Sequence, residues 1–153
     1  MNQEKIKLYL KYNLDLLLKS QISLIQSIEK CKTIDLNNAL TFENQESFDS
    51  LTSKFSRVSD ILTQKVLKSL IILYREDCKT FLDRANFLEK IGVLQDSNVL
   101  INIRDLRNDI SHEYIEEELS DLYKRTLEFS GELIILINTI HSHIISKTQL
   151  ISD

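Results

Sequence analysis

The chain has no proline and only two glycines, Gly92 and Gly131, among its 153 residues. A β-sheet protein needs several tight turns, and most of these turns depend on glycine and proline. It also favours valine and aromatic residues, whereas valine is scarce here and aromatic residues make up only 7% of the chain. The sequence therefore predicts an all-α fold. Two isolated glycines also exclude the glycine-rich loops of P-loop and Rossmann proteins.

Length and composition indicate one domain, covering residues 1–153. A hydrophobic content of 42% is enough for a packed core. Charged residues interrupt the N-terminal segment and no apolar run is long enough to cross a bilayer, so we expect a cytoplasmic protein without a membrane partner. Cys31 and Cys78 are too few for a disulfide framework. The formal net charge is −4, so any phosphate binding must come from a local cluster of cations.

Apolar residues recur at helical spacing in five segments. The pattern predicts helices at residues 3–33, 47–74, 77–91, about 97–110, and from 116 to near the C-terminus. Residues 35–46 lose this spacing and are expected to form a connection. Gly92 followed by Val93 suits a left-handed helix stop, and Asp96 or Ser97 can cap the next helix. Short connections between five helices favour an up-and-down bundle.

The segment Leu-Ile-Ile-Leu-Ile at 133–137 is apolar on every side of a helix. A helix of this kind is either central in its fold or pressed against another chain. We therefore expect a homodimer. Gln21 stands out for the opposite reason, because it is polar and lies between Leu17 and Leu24 on the apolar seam of the first helix.

The histidines do not have the spacing that metal-binding motifs require. His112 and Glu113 begin like the zinc motif H-E-x-x-H, but Glu116 stands where the second histidine is needed. His141 and His143 are two residues apart, which separates them by about 200° on a helix. The sequence therefore predicts neither a metal site nor another cofactor.

One polar cluster remains, the string Arg-Asn-Asp-Ile-Ser-His-Glu-Tyr at 107–114. It combines a cation, an amide, a carboxylate, an imidazole and a phenol. Asn108 and His112 are one helical turn apart, but Arg107 and His112 are separated by about 140° on an ideal helix. Either the length of the arginine closes that gap, or the helix ends near Ser111. The alternative is that Arg107 and Asp109 are surface charges and that His112 is a capping or interface histidine.

The string resembles the R-x4-H-x-Y signature of HEPN-domain proteins, in particular the HepT-like toxins that pair with a minimal nucleotidyltransferase antitoxin in type VII systems. The similarity extends through 48–65, 81–94 and 103–108, and covers roughly residues 45–120. This resemblance implies a helical bundle that dimerises so that two motifs face a shared cleft. It also implies a toxin that acts as a metal-independent endoribonuclease on RNA.

The resemblance assigns roles within the motif. Arg107 would hold a phosphate oxygen bidentately, and His112 would serve as general base or acid. Asn108 and Asp109 are better interpreted as orienting or capping groups. Tyr114 matches the tyrosine to which the partner nucleotidyltransferase transfers AMP from ATP, which silences the toxin; the added phosphate would repel RNA beside the site cations.

A second polar group lies on the second predicted helix, where Arg57, Asp60 and Gln64 follow one face. These residues either support the bundle through charge pairs or orient the motif from behind. A different class of function also fits the whole sequence. The chain would then be a non-catalytic subunit that docks a nucleotidyltransferase and presents a substrate to it. A purely structural bundle is the third alternative.

Overall fold

A computed structural model describes residues 2–112 and 115–147. Helices account for all the regular secondary structure in these residues, which confirms the predicted all-α class. They are α1 (Gln3–Cys31), α2 (Phe42–Ile61), a π-helical turn (Leu62–Val66), α3 (Leu67–Leu73), α4 (Phe81–Lys90), α5 (Ser97–Ile110) and α6 (Glu116–Ser146). Because α2, the π turn and α3 follow one another without a break, the described part of the chain forms five packed rods.

The π turn departs from the single α-helix expected at 47–74. Val58, Leu62, Val66 and Leu70 follow one another at steps of four. An α-helix has 3.6 residues per turn, so each such step rotates the side chain by about 40°. The wider π turn, in which the amide of Leu67 bonds the carbonyl of Leu62, offsets this rotation. All four apolar side chains therefore stay buried.

The ends of three helices differ from the sequence-based bounds. α2 begins at Phe42 and not near residue 47, because the Thr41 hydroxyl caps it by accepting the amide of Asn44 at 3.1 Å. α4 begins at Phe81 and not at 77, because Thr80 and Asp83 form a reciprocal capping box. α1 ends at Cys31, two residues earlier than expected. Local side-chain capping, which hydrophobic spacing does not report, sets the first two boundaries.

Two predicted helix signals are confirmed. Gly92 has φ +82° after the end of α4, and the amide of Val93 bonds the carbonyl of Leu88 at 2.9 Å. This is a Schellman arrangement, with Val93 buried behind it. Asp96 caps α5 by accepting the amide of Asn98 at 2.9 Å.

Contacts between distant residues show how α1, the α2–α3 segment and α6 run relative to one another. The Cys31 thiol donates to the carbonyl of Ser47 at 3.4 Å, so α1 ends where α2 begins and the two run antiparallel. Tyr74 and His143 form a hydrogen bond of 2.8 Å, so α3 and α6 end on the same side of the bundle. Gln21, the polar residue on the α1 seam, is buried and donates its amide to Asn138 of α6 at 3.3 Å.

The apolar run at 133–137 is mostly central. Leu133, Leu136 and Ile137 are buried, whereas Ile135 is 68% exposed. Ile135 borders a groove of about 330 Å³ that Val93 and other residues of the α4–α5 connection also line. Packing within one chain therefore explains most of the run, and the homodimer stays a prediction. None of the described helices combines the length and apolar character needed to cross a membrane.

Candidate functional site

The last turn of α5 brings Arg107 against α2. The Nε and Nη2 groups of Arg107 donate to the two carboxylate oxygens of Asp60, each at 2.9 Å. Two parallel bonds of this kind fix both the position and the plane of a guanidinium. Asp60 lies at the end of α2, two residues before the π turn begins at Leu62. The pair therefore joins the end of α5 to the point where the long α2–α3 rod changes its helical geometry.

The Arg107–Asp60 pair remains open to solvent. The Arg107 side chain is 31% exposed and that of Asp60 is 47% exposed. The hydrogen bonds that Arg107 donates to Asp60 raise the pKa of Arg107 further above its usual value, so the guanidinium is charged throughout the physiological range. A guanidinium has five N–H donors, and Asp60 takes two of them. Among the described residues no other group accepts a hydrogen bond from Arg107, so the remaining donors can serve water or an anionic ligand.

Asp109 points to the opposite side of α5. It lies two residues after Arg107, which on a helix corresponds to about 200°. Its carboxylate accepts a hydrogen bond of 2.9 Å from Nη2 of Arg125, on α6. The two ion pairs thus hold the end of α5 between α2 and α6. The predicted orienting or capping role of Asp109 in a site stays a prediction.

The helix ends before the histidine. Ile110 is the last residue of α5, and Ser111 caps it with its hydroxyl donating to the carbonyl of Asn108 at 2.6 Å. His112 follows this cap and is exposed. Of the two geometries that the sequence left open, the early helix end is therefore the one observed. The backbone carbonyl of Asn108 accepts the bond from Ser111, and Asn108 itself is exposed.

The remaining sequence-predicted residues have different environments. Arg57 and Gln64 are exposed on the α2 rod, and among the described residues Arg57 makes no ion pair. Of Arg57, Asp60 and Gln64, Asp60 is the one with a hydrogen bond to the described part of the motif. Tyr114 lies outside the described residues.

Sequence reasoning missed two features of this surface. Arg125 was not singled out, because a lone arginine on a long helix gives no sign of its partner. The π turn beside Asp60 was also missed, although the consecutive steps of four from Val58 to Leu70 were a signal for it. π turns occur often near functional sites.

The described surface has the parts for acid–base and anion chemistry. Arg107 supplies a fixed positive charge with open donors, and His112 supplies an accessible imidazole close behind it in the chain. Within residues 2–112 and 115–147, no three His, Cys, Asp or Glu side chains come together in a group that could hold a metal ion.

Comparison with known proteins returned no relative: no family model, no curated protein and no solved structure matches this chain. The function of the α5 surface must therefore be inferred from its own residues.

Proposed function

We propose that this protein is the toxin of a HEPN/minimal nucleotidyltransferase pair, and that it cleaves RNA without a metal ion. One observation carries the proposal. At the end of α5, Asp60 holds the guanidinium of Arg107 at the surface by two bonds of 2.9 Å, and the exposed His112 follows directly after the helix cap. These are the two side chains that the R-x4-H-x-Y resemblance assigns to catalysis.

The chemistry needs three tasks in one step. The ribose 2′-oxygen attacks the adjacent phosphorus, a base accepts the proton of the 2′-hydroxyl, and an acid protonates the 5′-oxygen as its bond to phosphorus breaks. The products are a 2′,3′-cyclic phosphate and a 5′-hydroxyl. Arg107 stabilises the extra negative charge on the phosphorane, because it is already oriented and stays charged. The donors that Asp60 does not take can bind the phosphorane oxygens, and the Arg107–Asp60 pair need not rearrange.

His112 performs the proton transfers. The ordinary pKa of histidine, about 6.5, suits both a base and an acid near neutral pH. One imidazole cannot accept one proton and donate another in the same step. Two copies of the chain across a two-fold dimer supply one neutral and one protonated histidine. This requirement gives the predicted homodimer a mechanistic reason.

Single substitutions test this assignment. His112→Ala and Arg107→Ala should abolish RNA cleavage, while the circular dichroism spectrum stays unchanged because both side chains are solvent-accessible. His141→Ala is the matched control, since it removes a histidine of α6 outside the site. Arg107→Lys keeps the charge but loses the bidentate geometry and should restore only part of the activity. Full cleavage by the folded His112→Ala protein contradicts the proposal.

The products and the metal dependence give a second test. Chelation with EDTA should leave cleavage intact, and a substrate with one 2′-deoxy nucleotide at the cut site should resist. Mass spectrometry of the products should find 2′,3′-cyclic phosphate ends. If a divalent ion restores an activity that EDTA removes, the metal-independent mechanism is wrong.

Tyr114 is proposed as the switch that silences the toxin. Its phenolic oxygen would attack the α-phosphorus of ATP, pyrophosphate would leave, and the partner nucleotidyltransferase would accept the phenolic proton. A phenol has an ordinary pKa of about 10, so it needs such activation. Incubation with the partner and ATP should add AMP to Tyr114 and reduce cleavage, whereas Tyr114→Phe should stay active. An adduct on another residue contradicts this role.

The non-catalytic subunit is the alternative that the same experiments address. It shares Tyr114 and the docking of a nucleotidyltransferase but needs no imidazole chemistry. Inducible expression separates the two functions. Growth arrest by the wild-type protein that disappears with His112→Ala supports the ribonuclease. If neither the wild-type nor the variant protein arrests growth, the docking subunit is supported.

A further inference from the structure

A small cavity of about 210 Å³ lies between α1 and α2, apart from the α5 surface. Its lining combines two lysines, three serines, an amide and a thiol: Gln26, Ser27, Lys30, Cys31, Ser47, Ser50 and Lys54. Among the residues that the structure describes, no carboxylate takes part in this lining. In a chain with a net charge of −4, the cavity is thus a local cluster of cations.

The ammonium group of Lys54 is only partly satisfied. Lys54 is half-buried, and its Nζ donates to the Ser27 hydroxyl oxygen at 2.8 Å. An ammonium has three donors, and within the described residues this is the one hydrogen bond that Lys54 Nζ makes. In the part of the chain that the structure describes, neither Lys54 nor Lys30 forms an ion pair. Because partial burial of an unpaired charge is unfavourable, an anion in the cavity would stabilise this arrangement.

The charges of Lys30 and Lys54 both act on the Cys31 thiol, which lines the cavity. The Cys31 thiol faces inward and donates to the carbonyl of Ser47 at 3.4 Å. Burial raises the pKa of this thiol, and the positive charges of Lys30 and Lys54 oppose that increase. Lys30 of α1 and Lys54 of α2 thus line one cavity together with this thiol.

We propose that this cavity binds a phosphate group, held by the ammonium groups of Lys30 and Lys54 and by the hydroxyls of Ser27 and Ser50. Bonds from an ammonium to a phosphate oxygen are charge-assisted and strong. A phosphate presents oxygens in several directions, which suits donors that arrive from two helices. Since one water takes about 30 Å³ in the liquid, the cavity has room for a phosphate group together with a few waters.

The phosphate has two possible sources, a free phosphate compound or the backbone of RNA. Arg57 connects the cavity to the α5 surface, because it lies three residues after Lys54 and three before Asp60 on the same helix, and it is exposed. Residues three apart are neighbours on a helix surface. A strand that crosses Arg57 would reach both the cavity and Arg107. The RNA source rests on the proposed function, whereas the phosphate site itself does not.

Titration with sodium phosphate, followed by NMR of the amides against sodium chloride at equal ionic strength, tests the site. We expect saturable shifts confined to residues 26–31 and 47–54. Lys54→Gln and Lys30→Gln should each weaken binding at least about tenfold, in line with the loss of one charged hydrogen bond. Lys11→Gln, an equal charge change at an exposed position of α1, should not. Lys30 is exposed, so its variant should fold even if that of Lys54 does not.

A second titration, with a 2′-O-methyl RNA hexanucleotide that cannot undergo 2′-hydroxyl attack, distinguishes the sources. If Lys30→Gln weakens RNA binding as well as phosphate binding, RNA supplies the phosphate. If it weakens phosphate binding alone, a free phosphate compound does. Either result supports the site. Absence of saturable shifts with phosphate, or equal binding by the wild-type and Lys30→Gln proteins, overturns it. This RNA is not cut, so the titration measures binding alone. The ribonuclease proposal is tested separately, by the cleavage assays.

Discussion

Replacement of Asp60 by Asn separates positioning of Arg107 from simple stabilisation of the bundle. The change is nearly isosteric and removes the charge that holds the guanidinium by two bonds of 2.9 Å. The pair is 31% and 47% exposed, and exposed ion pairs contribute about 0.2–1 kcal/mol. Its bidentate geometry places the loss near the upper end, about 1 kcal/mol. For a chain of this size, that corresponds to a melting temperature lower by about 2–4 °C.

The expected effect on RNA cleavage is much larger than the effect on stability. A catalytic group displaced by about 1 Å costs on the order of 100-fold in rate, and without Asp60 the guanidinium of Arg107 has no fixed plane. We therefore expect Asp60→Asn to lower kcat/KM by about 10- to 100-fold. In an Arg107→Lys background, which keeps part of the activity but already lacks the bidentate geometry, the same change should have a much smaller further effect, because residues of one network do not act additively.

The assay combines cleavage of a fluorescent RNA with thermal unfolding of the same samples. Asp105→Asn is the matched control, because Asp105 also forms an exposed ion pair on α5, with Arg104 at 3.2 Å. It should leave cleavage within about twofold of the wild-type, since surface changes of this kind are nearly neutral. If the Asp60→Asn protein has a lower melting temperature but cleaves RNA at the wild-type rate, the positioning role of Asp60 is wrong.

Three further outcomes concern the fold itself. Leu17→Ala should lower the free energy of unfolding by about 2–5 kcal/mol in a urea titration, because the side chain is fully buried; a loss below about 1 kcal/mol would contradict its place in the core. Tyr123→Phe removes the 2.6 Å bond to the Asp49 carboxylate but keeps the ring, and should lower that free energy by about 1 kcal/mol. Burial, then the charge of Lys147, lowers the pKa of His143. The unfolded chain thus binds more protons below about pH 6.5, so stability should fall there as the pH drops, and less steeply in His143→Phe.

Much of the fold follows from composition and hydrophobic spacing. Absence of proline, scarcity of glycine and five apolar stripes were enough to predict an all-α bundle, because a helix forms from local bonds and buries whichever face is apolar. Gly92 and Asp96 likewise acted as predicted, since a left-handed stop and an N-cap depend on one residue and its neighbours. The predicted starts near residue 47 and at residue 77 were wrong, because the capping hydroxyls of Thr41 and Thr80 place the observed starts at Phe42 and Phe81.

The site was only partly accessible from the sequence. Spacing brought Arg107 and His112 into one candidate motif, and marked Asp60 without giving its partner. The tertiary structure decided that Arg107 pairs with Asp60, 47 positions away, and that Asp109 pairs with Arg125 on α6. An ion pair between distant residues depends on how two helices are rotated and packed against each other. Interlocking of the whole core sets that rotation, so no local pattern of charges can report it.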